Sequence, residues 1–149
     1  MTEVWFYHLT ERTLQQTLPS LLEKCREKEW RSVVQFGDED KLAEMDSHLW
    51  TFRDESFLAH SAARDGRENE QPIFLTSETD NPNGAEIRFL VEGAVPPNLS
   101  DYTRAIYVFD GHNEAALSQA RTRWKAEKEA GHQVTYWQQK ENGGWEKKA

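Results

Sequence analysis

VWFYHLTERTLQQTLPSLLEKCREKEWRSVVQF, from Val4 to Phe36, carries a strand, a helix and a second strand in succession. Val4 to Leu9 is a short run rich in aromatic and β-branched side chains, too brief for a helix, and reads as a buried strand. Thr13 is a natural N-cap for the segment that follows, where Leu14, Leu18, Leu21, Leu22 and Cys25 recur at spacings of three and four and form one apolar stripe. Pro19 interrupts that stripe. A proline inside a helix removes a hydrogen bond and crowds the preceding turn, so the regular helix is expected to start at Pro19, with the turn before it separate or kinked. Arg31 to Phe36 is the second strand. Gly37 and Asp38 end it, and an acidic-capped helix is predicted from Glu39 to Leu49.

The same alternation continues along the chain. Ser56 to His60 reads as a short strand or loop, Arg64 to Glu70 as an exposed loop, and Ile73 to Leu75 as an apolar run after Pro72. Asn81, Pro82, Asn83 and Gly84 are a strong turn signal with strands able to flank it, because Asn and Gly tolerate positive φ and Pro fixes its own. Ile87 to Val91 and Ala105 to Phe109 are further strands, separated by the Pro96 and Pro97 loop. Asn113 to Ala130 is the longest helical pattern, closed by Gly131. Gln133 to Gln139, the glycine pair at 143 and 144, and Trp145 suggest an edge strand or hairpin. Strands alternating with helices imply an α/β fold: one three-layer domain over residues 1–149, with a mostly parallel sheet covered on both faces, Rossmann-like without a nucleotide-binding loop.

The composition fits one folded domain. A chain of 149 residues has the size of a single core, and 37% hydrophobic content with six Trp and seven Phe can fill it. No basic region precedes an apolar run near Met1, and no stretch approaches the roughly 20 apolar residues needed to span a bilayer, so neither export nor membrane insertion is expected. One cysteine, Cys25, permits no internal disulfide, and a reducing cytoplasm is the expected location. The net charge of −8 argues against wholesale phosphate coating, but it is unevenly spread. Residues 1–114 carry 11 Lys+Arg against 22 Asp+Glu, whereas residues 115–149 carry 7 against 4. The C-terminal quarter is a local basic patch suited to an acidic partner segment.

Catalytic signatures are weak. The turn after the first strand, Thr10-Glu11-Arg12-Thr13, has no glycine to bring backbone amides against a phosphate, and Glu11 would repel one. His8, His48, His60, His112 and His132 are scattered without a HxxxH or HxH pair, which argues against a metal site. Ser56 and Ser61 flank His60 without a nucleophile elbow. No cofactor is expected, nor a catalytic residue.

Four segments carry a family resemblance: DSHLWTFRDESFLAH (Asp46 to His60), QPIFLTSETDNPNGA (Gln71 to Ala85), YVFDG (Tyr107 to Gly111) and ARTRWKAEKEAG (Ala120 to Gly131). In order and spacing they resemble the chi subunit of bacterial DNA polymerase III, over nearly the whole chain. The resemblance implies a non-catalytic accessory subunit of the holoenzyme. Such a protein binds the acidic C-terminal tail of single-stranded DNA-binding protein and, in some bacteria, the psi subunit that joins it to the clamp loader; its contact with nucleic acid is mainly indirect. The chain departs from the family at two places. Ala59 stands where many relatives have proline, and Leu117 where some have lysine, which removes one cation from the tail site.

On the last helix Leu117, Arg121, Trp124 and Lys128 are separated by four, three and four residues and share a face, with Lys125 beside them. A leucine, an aromatic ring and three cations suit a peptide ending in an apolar side chain and a free carboxylate with acidic neighbours. The resemblance adds Trp50 and Phe57, which match family positions near the tail pocket. An equally simple reading has Leu117 and Trp124 covering the sheet while Arg121 and Lys128 extend along its rim; Phe57 likewise could be an ordinary core aromatic. Arg123 lies about 200° from Arg121 around the helix and points elsewhere. Two other functions stay open on sequence alone: a nucleotide-binding enzyme of Rossmann type, and a direct binder of single-stranded DNA, the latter expected to be weak and salt-sensitive on so acidic a body.

Overall fold

The computed structural model describes residues 2–51, 62, 71–142 and 144–148, with the side chains of Trp50 and Thr51 left out. The elements are β1 (Glu3–Leu9), α1 (Leu14–Glu27), β2 (Ser32–Phe36), α2 (Glu39–Thr51), β3 (Ile73–Thr76), β4 (Ile87–Val91), β5 (Arg104–Asp110), α3 (Glu114–Glu129), β6 (Gln133–Gln139) and β7 (Trp145–Lys147). They build one sheet of order β3-β2-β4-β5-β1-β6-β7. All neighbours pair in parallel except β6 and β7, which are antiparallel. The α/β class, the three layers and the terminal hairpin agree with the sequence reading. The segments expected at Ser56 to His60 and Arg64 to Glu70 lie outside the described residues.

Period-two alternation puts a different core on each face of the sheet. Leu9, Val34, Phe36, Leu75, Phe89 and Val108 face one side, where Leu18 and Leu22 of α1 and Met45 and Leu49 of α2 cover them. Val4, Phe6, Val33, Phe74, Leu90 and Tyr107 face the other, under Ala120 and Trp124 of α3 and under Leu99 and Tyr102 of the β4–β5 connection.

Helix α1 corrects one expectation. It runs unbroken through Pro19 from Leu14, with Thr13 and Gln16 exchanging side-chain and backbone bonds as a capping box. Pro19 is itself buried in the core beside Leu18 and Leu22. Packing and a well-satisfied first turn therefore offset the hydrogen bond that the proline removes. Helix α3 ends as expected: Gly131 takes φ 87°, and the His132 amide donates to the Glu127 carbonyl at 3.2 Å, a Schellman closure.

Candidate functional site

Helix α3 crosses from β5 to β6 and lays Trp124 against the sheet. The indole is half-buried and meets Phe6 edge-on at 5.6 Å between centroids, and Tyr136 of β6 edge-on at 5.7 Å. Lys128, one turn on, holds its ammonium 5.0 Å from the centre of the Trp124 ring. Tyr136 extends the surface. Its hydroxyl lies 2.7 Å from His8 Nδ1, and Phe109 of β5 approaches both rings, at 5.2 Å from His8 and 6.1 Å from Tyr136. Burial pushes the Tyr136 hydroxyl up while the nearby Arg121 charge pulls it down, so Arg121 reaches the same neighbourhood. Burial also lowers the His8 pKa, with His112 adding to that effect and Asp110 opposing it.

The result is a shelf of half-exposed aromatic rings, Trp124, Tyr136 and Phe109, with exposed cations Arg121, Lys125 and Lys128 on the helix beside it. Leu117 is half-buried on the same helical face. Five of the expected site residues thus sit on α3 about one surface. The backbone of Trp50 belongs to α2, whereas Phe57 lies outside the described residues. His8, Phe109 and Tyr136 were not singled out from sequence. Each sits at an ordinary strand position, and only the long-range pairing of β1 with β5 and β6 brings them together.

The two readings of Trp124 turn out to be compatible. The ring covers the sheet and remains partly open, so it contributes to stability as well as to the surface. Arg123 does point elsewhere, as its spacing requires, but it is not a solvated bystander. It is half-buried, and its Nε and the Tyr107 hydroxyl both lack hydrogen-bond partners among the described residues. Burial, reinforced by the Glu127 carboxylate, drives the Tyr107 hydroxyl far up.

The crevice at the carboxyl ends of β1, β2, β4 and β5 is where doubly wound folds place nucleotides. Here it encloses about 560 Å³ and is rimmed by Glu11, Glu44, Glu92 and Asp110, with Arg12 and Lys41 as its cations. Burial raises the Glu92 carboxyl; Lys41 opposes this, and Asp38, Glu44 and Asp110 add to it. The turn after β1 is occupied by the chain itself: the amides of Thr10, Glu11 and Arg12 converge on the Gln139 side-chain oxygen at 3.4, 3.0 and 2.9 Å. The Thr10 hydroxyl donates to the Gln139 carbonyl at 2.9 Å. Gln139 therefore fills the place a phosphate would need. Calorimetry with ATP and Mg²⁺ is expected to give no saturable signal in the micromolar range; one would show that Gln139 yields to a ligand. Among the described residues no three His, Cys, Asp or Glu side chains are grouped to hold a metal ion, and no helix is long and apolar enough to cross a membrane.

Residues 1–135 match the family model for "DNA polymerase III chi subunit, HolC". The chain belongs to the DNA polymerase III chi subunit family. A protein of Pseudomonas aeruginosa named DNA polymerase III subunit chi is 30% identical over 116 residues, covering 72% of this chain and 78% of that protein. A Rickettsia prowazekii protein named "Probable DNA polymerase III subunit chi" is 28% identical over 91 residues, covering 61% of this chain and 55% of its own length, so the matched part spans about half of that relative. The chi family is an accessory subunit of polymerase III and takes part in DNA replication. Two of the resembling segments, Asp46 to His60 and Gln71 to Ala85, have different fates in the structure: most of the first lies outside the described residues, whereas the second forms β3 and the connection to β4.

Proposed function

We propose that this chain is a non-catalytic adaptor of the polymerase III holoenzyme, cytoplasmic, that grips the acidic C-terminal tail of single-stranded DNA-binding protein and links it to the clamp loader, directly or through a psi subunit. The observation carrying this reading is the α3 shelf: partly open aromatic rings bordered by Arg121, Lys125 and Lys128 on a chain whose residues 1–114 are strongly acidic. An apolar terminal side chain would rest on Trp124 and Tyr136. The terminal carboxylate and its acidic neighbours would meet the three cations, and charge-assisted bonds of this kind are roughly twice as strong as neutral ones. The acidic crevice and the Gln139-filled turn weigh against a Rossmann-type enzyme.

Fluorescence anisotropy with a labelled peptide ending in several acidic residues and one apolar residue tests the assignment. Arg121→Ala is expected to weaken binding by about 1 to 3 kcal/mol, the cost of losing a partly desolvated charge-assisted contact. Arg26→Ala, an exposed cation near the end of α1, is the control and should leave affinity unchanged. Unaltered affinity in Arg121→Ala would place the tail site elsewhere.

A further inference from the structure

The family match ends at residue 135, but β6 runs on to Gln139 and turns back as β7. Register shows what these residues do. Tyr7 aligns with Trp137, Trp137 with Lys147 and Gln139 with Trp145. Side chains on aligned and alternate positions share a face, so Trp5, Tyr7, Trp137, Gln139, Trp145 and Lys147 all point to the side of the sheet opposite α3. Trp145 stacks on Tyr7 at 4.4 Å, and Trp137 leans on Trp5 at 5.8 Å. All three indoles remain half-exposed.

Beside Trp145 runs a groove of about 150 Å³ with walls from Arg12, Gln16, Ser20, Lys24 and Gln139. Arg12, Lys24, Lys140 and Lys147 are exposed and form no ion pair among the described residues, whereas Lys148 is held by Glu146 at 3.3 Å. Glu11, Glu23, Glu141 and Glu146 are the acidic residues next to these cations in the chain. Free cations therefore flank one partly open indole from the β1–α1 turn, from α1 and from β7.

We propose that this face is a second binding site, separate from the α3 shelf, and that its ligand is single-stranded nucleic acid: a base stacks on Trp145 within the groove while neighbouring phosphates lie on Arg12, Lys24 and Lys147. The groove has the volume of one flat ring, and a nucleic-acid strand supplies a ring and a charge at every residue, which an acidic peptide does not. Aromatic platforms bordered by cations bind single strands with little sequence preference and strong salt dependence. The acidic remainder of the chain limits such binding to the micromolar range at low salt.

The full-length chain titrated into a labelled oligothymidylate of about 15 nucleotides reads this directly by anisotropy. Binding is expected, with a log–log salt slope of about −1.4 to −2, the value for two or three neutralised phosphates on a single strand. Trp145→Ala should weaken it about fivefold or more, as loss of one stacked base predicts. The double variant Arg12→Glu with Lys24→Glu leaves the apolar contacts in place and should weaken it at least as much, so the outcome does not hang on the folding of Trp145→Ala. Arg121→Ala should bind the oligonucleotide normally, and the tail peptide should bind both groove variants normally, which separates this proposal from the α3 assignment. No binding by the unmodified chain, binding indifferent to the groove variants, a loss in Arg121→Ala equal to theirs, or equal competition by an oligoglutamate of matched length would each overturn it.

Discussion

Arg88→Ala is expected to destabilise the protein by about 3 to 5 kcal/mol, the range for breaking a buried charged network. Arg88 is fully buried in β4. Its Nε and Nη2 donate to Gln35 Oε1 at 3.0 and 2.6 Å, Nη1 donates to the Asp80 carbonyl at 2.8 Å and to the Tyr102 hydroxyl at 3.0 Å, and Nη2 also donates to the Glu78 carbonyl at 2.8 Å. Burial lowers its pKa, while Tyr102 and the Asp80 charge oppose that fall. Truncation would remove the guanidinium, leave a cavity beneath the β3–β4 connection and strand two backbone carbonyls, an amide oxygen and a hydroxyl without their donor. Urea unfolding, with midpoint and slope both recorded, checks the value. A loss below about 1 kcal/mol would mean that water replaces the guanidinium at little cost and that the connection does not depend on it.

That network explains why the segment Gln71 to Ala85 was conspicuous in the sequence. Its polar residues hold the chain to itself. Asn81 accepts from the Ala85 amide at 2.8 Å and donates to the Ala85 carbonyl at 3.1 Å, and Asn83 Nδ2 donates to the carbonyls of Ser32 and Gln71, each at 3.0 Å. The strands flanking this turn are present, but β2 lies between them, so the turn serves a parallel crossover and not a hairpin. Local signals gave the strands, the caps at Thr13 and Gly131 and the apolar stripe of α1, because these depend on neighbours a few residues away. Strand order was out of reach, since pairing β1 with both β5 and β6 joins residues about a hundred positions apart in the chain. The same distance hid Gln139, whose contact with the β1–α1 turn spans 127 to 129 positions. On α3, helical spacing located the exposed cations, but the degree of burial of Trp124 depended on Phe6 and Tyr136, which no periodicity of the helix can report.

If the α3 shelf holds the tail as proposed, Trp124 is the residue at which stability and recognition meet, and Trp124→Ala is expected to impair both. Full burial of a tryptophan would put the stability loss at about 3 to 5 kcal/mol; a half-buried ring with two edge-on aromatic contacts should lose somewhat less, about 2 to 4 kcal/mol. The Lys128 ammonium over the ring adds a cation–π contribution of about 0.5 to 1 kcal/mol at an exposed site. Tail-peptide affinity should also fall, by about 1 to 3 kcal/mol, and the loss should persist at high salt because it comes from the apolar wall under the terminal side chain. Arg121→Ala should behave oppositely, with an affinity loss that shrinks as salt screens the charge and with a melting temperature nearly unchanged, since its guanidinium is exposed. Trp124→Phe separates the two roles, for a phenyl ring can keep the contact with Phe6 while presenting less surface to a ligand. Melting curves and peptide titrations on the three variants at low and high salt decide the matter. Should Trp124→Ala lose stability while binding the peptide normally at a temperature where it is folded, Trp124 would be a sheet cover alone, and Tyr136 and Phe109 would have to form the apolar wall.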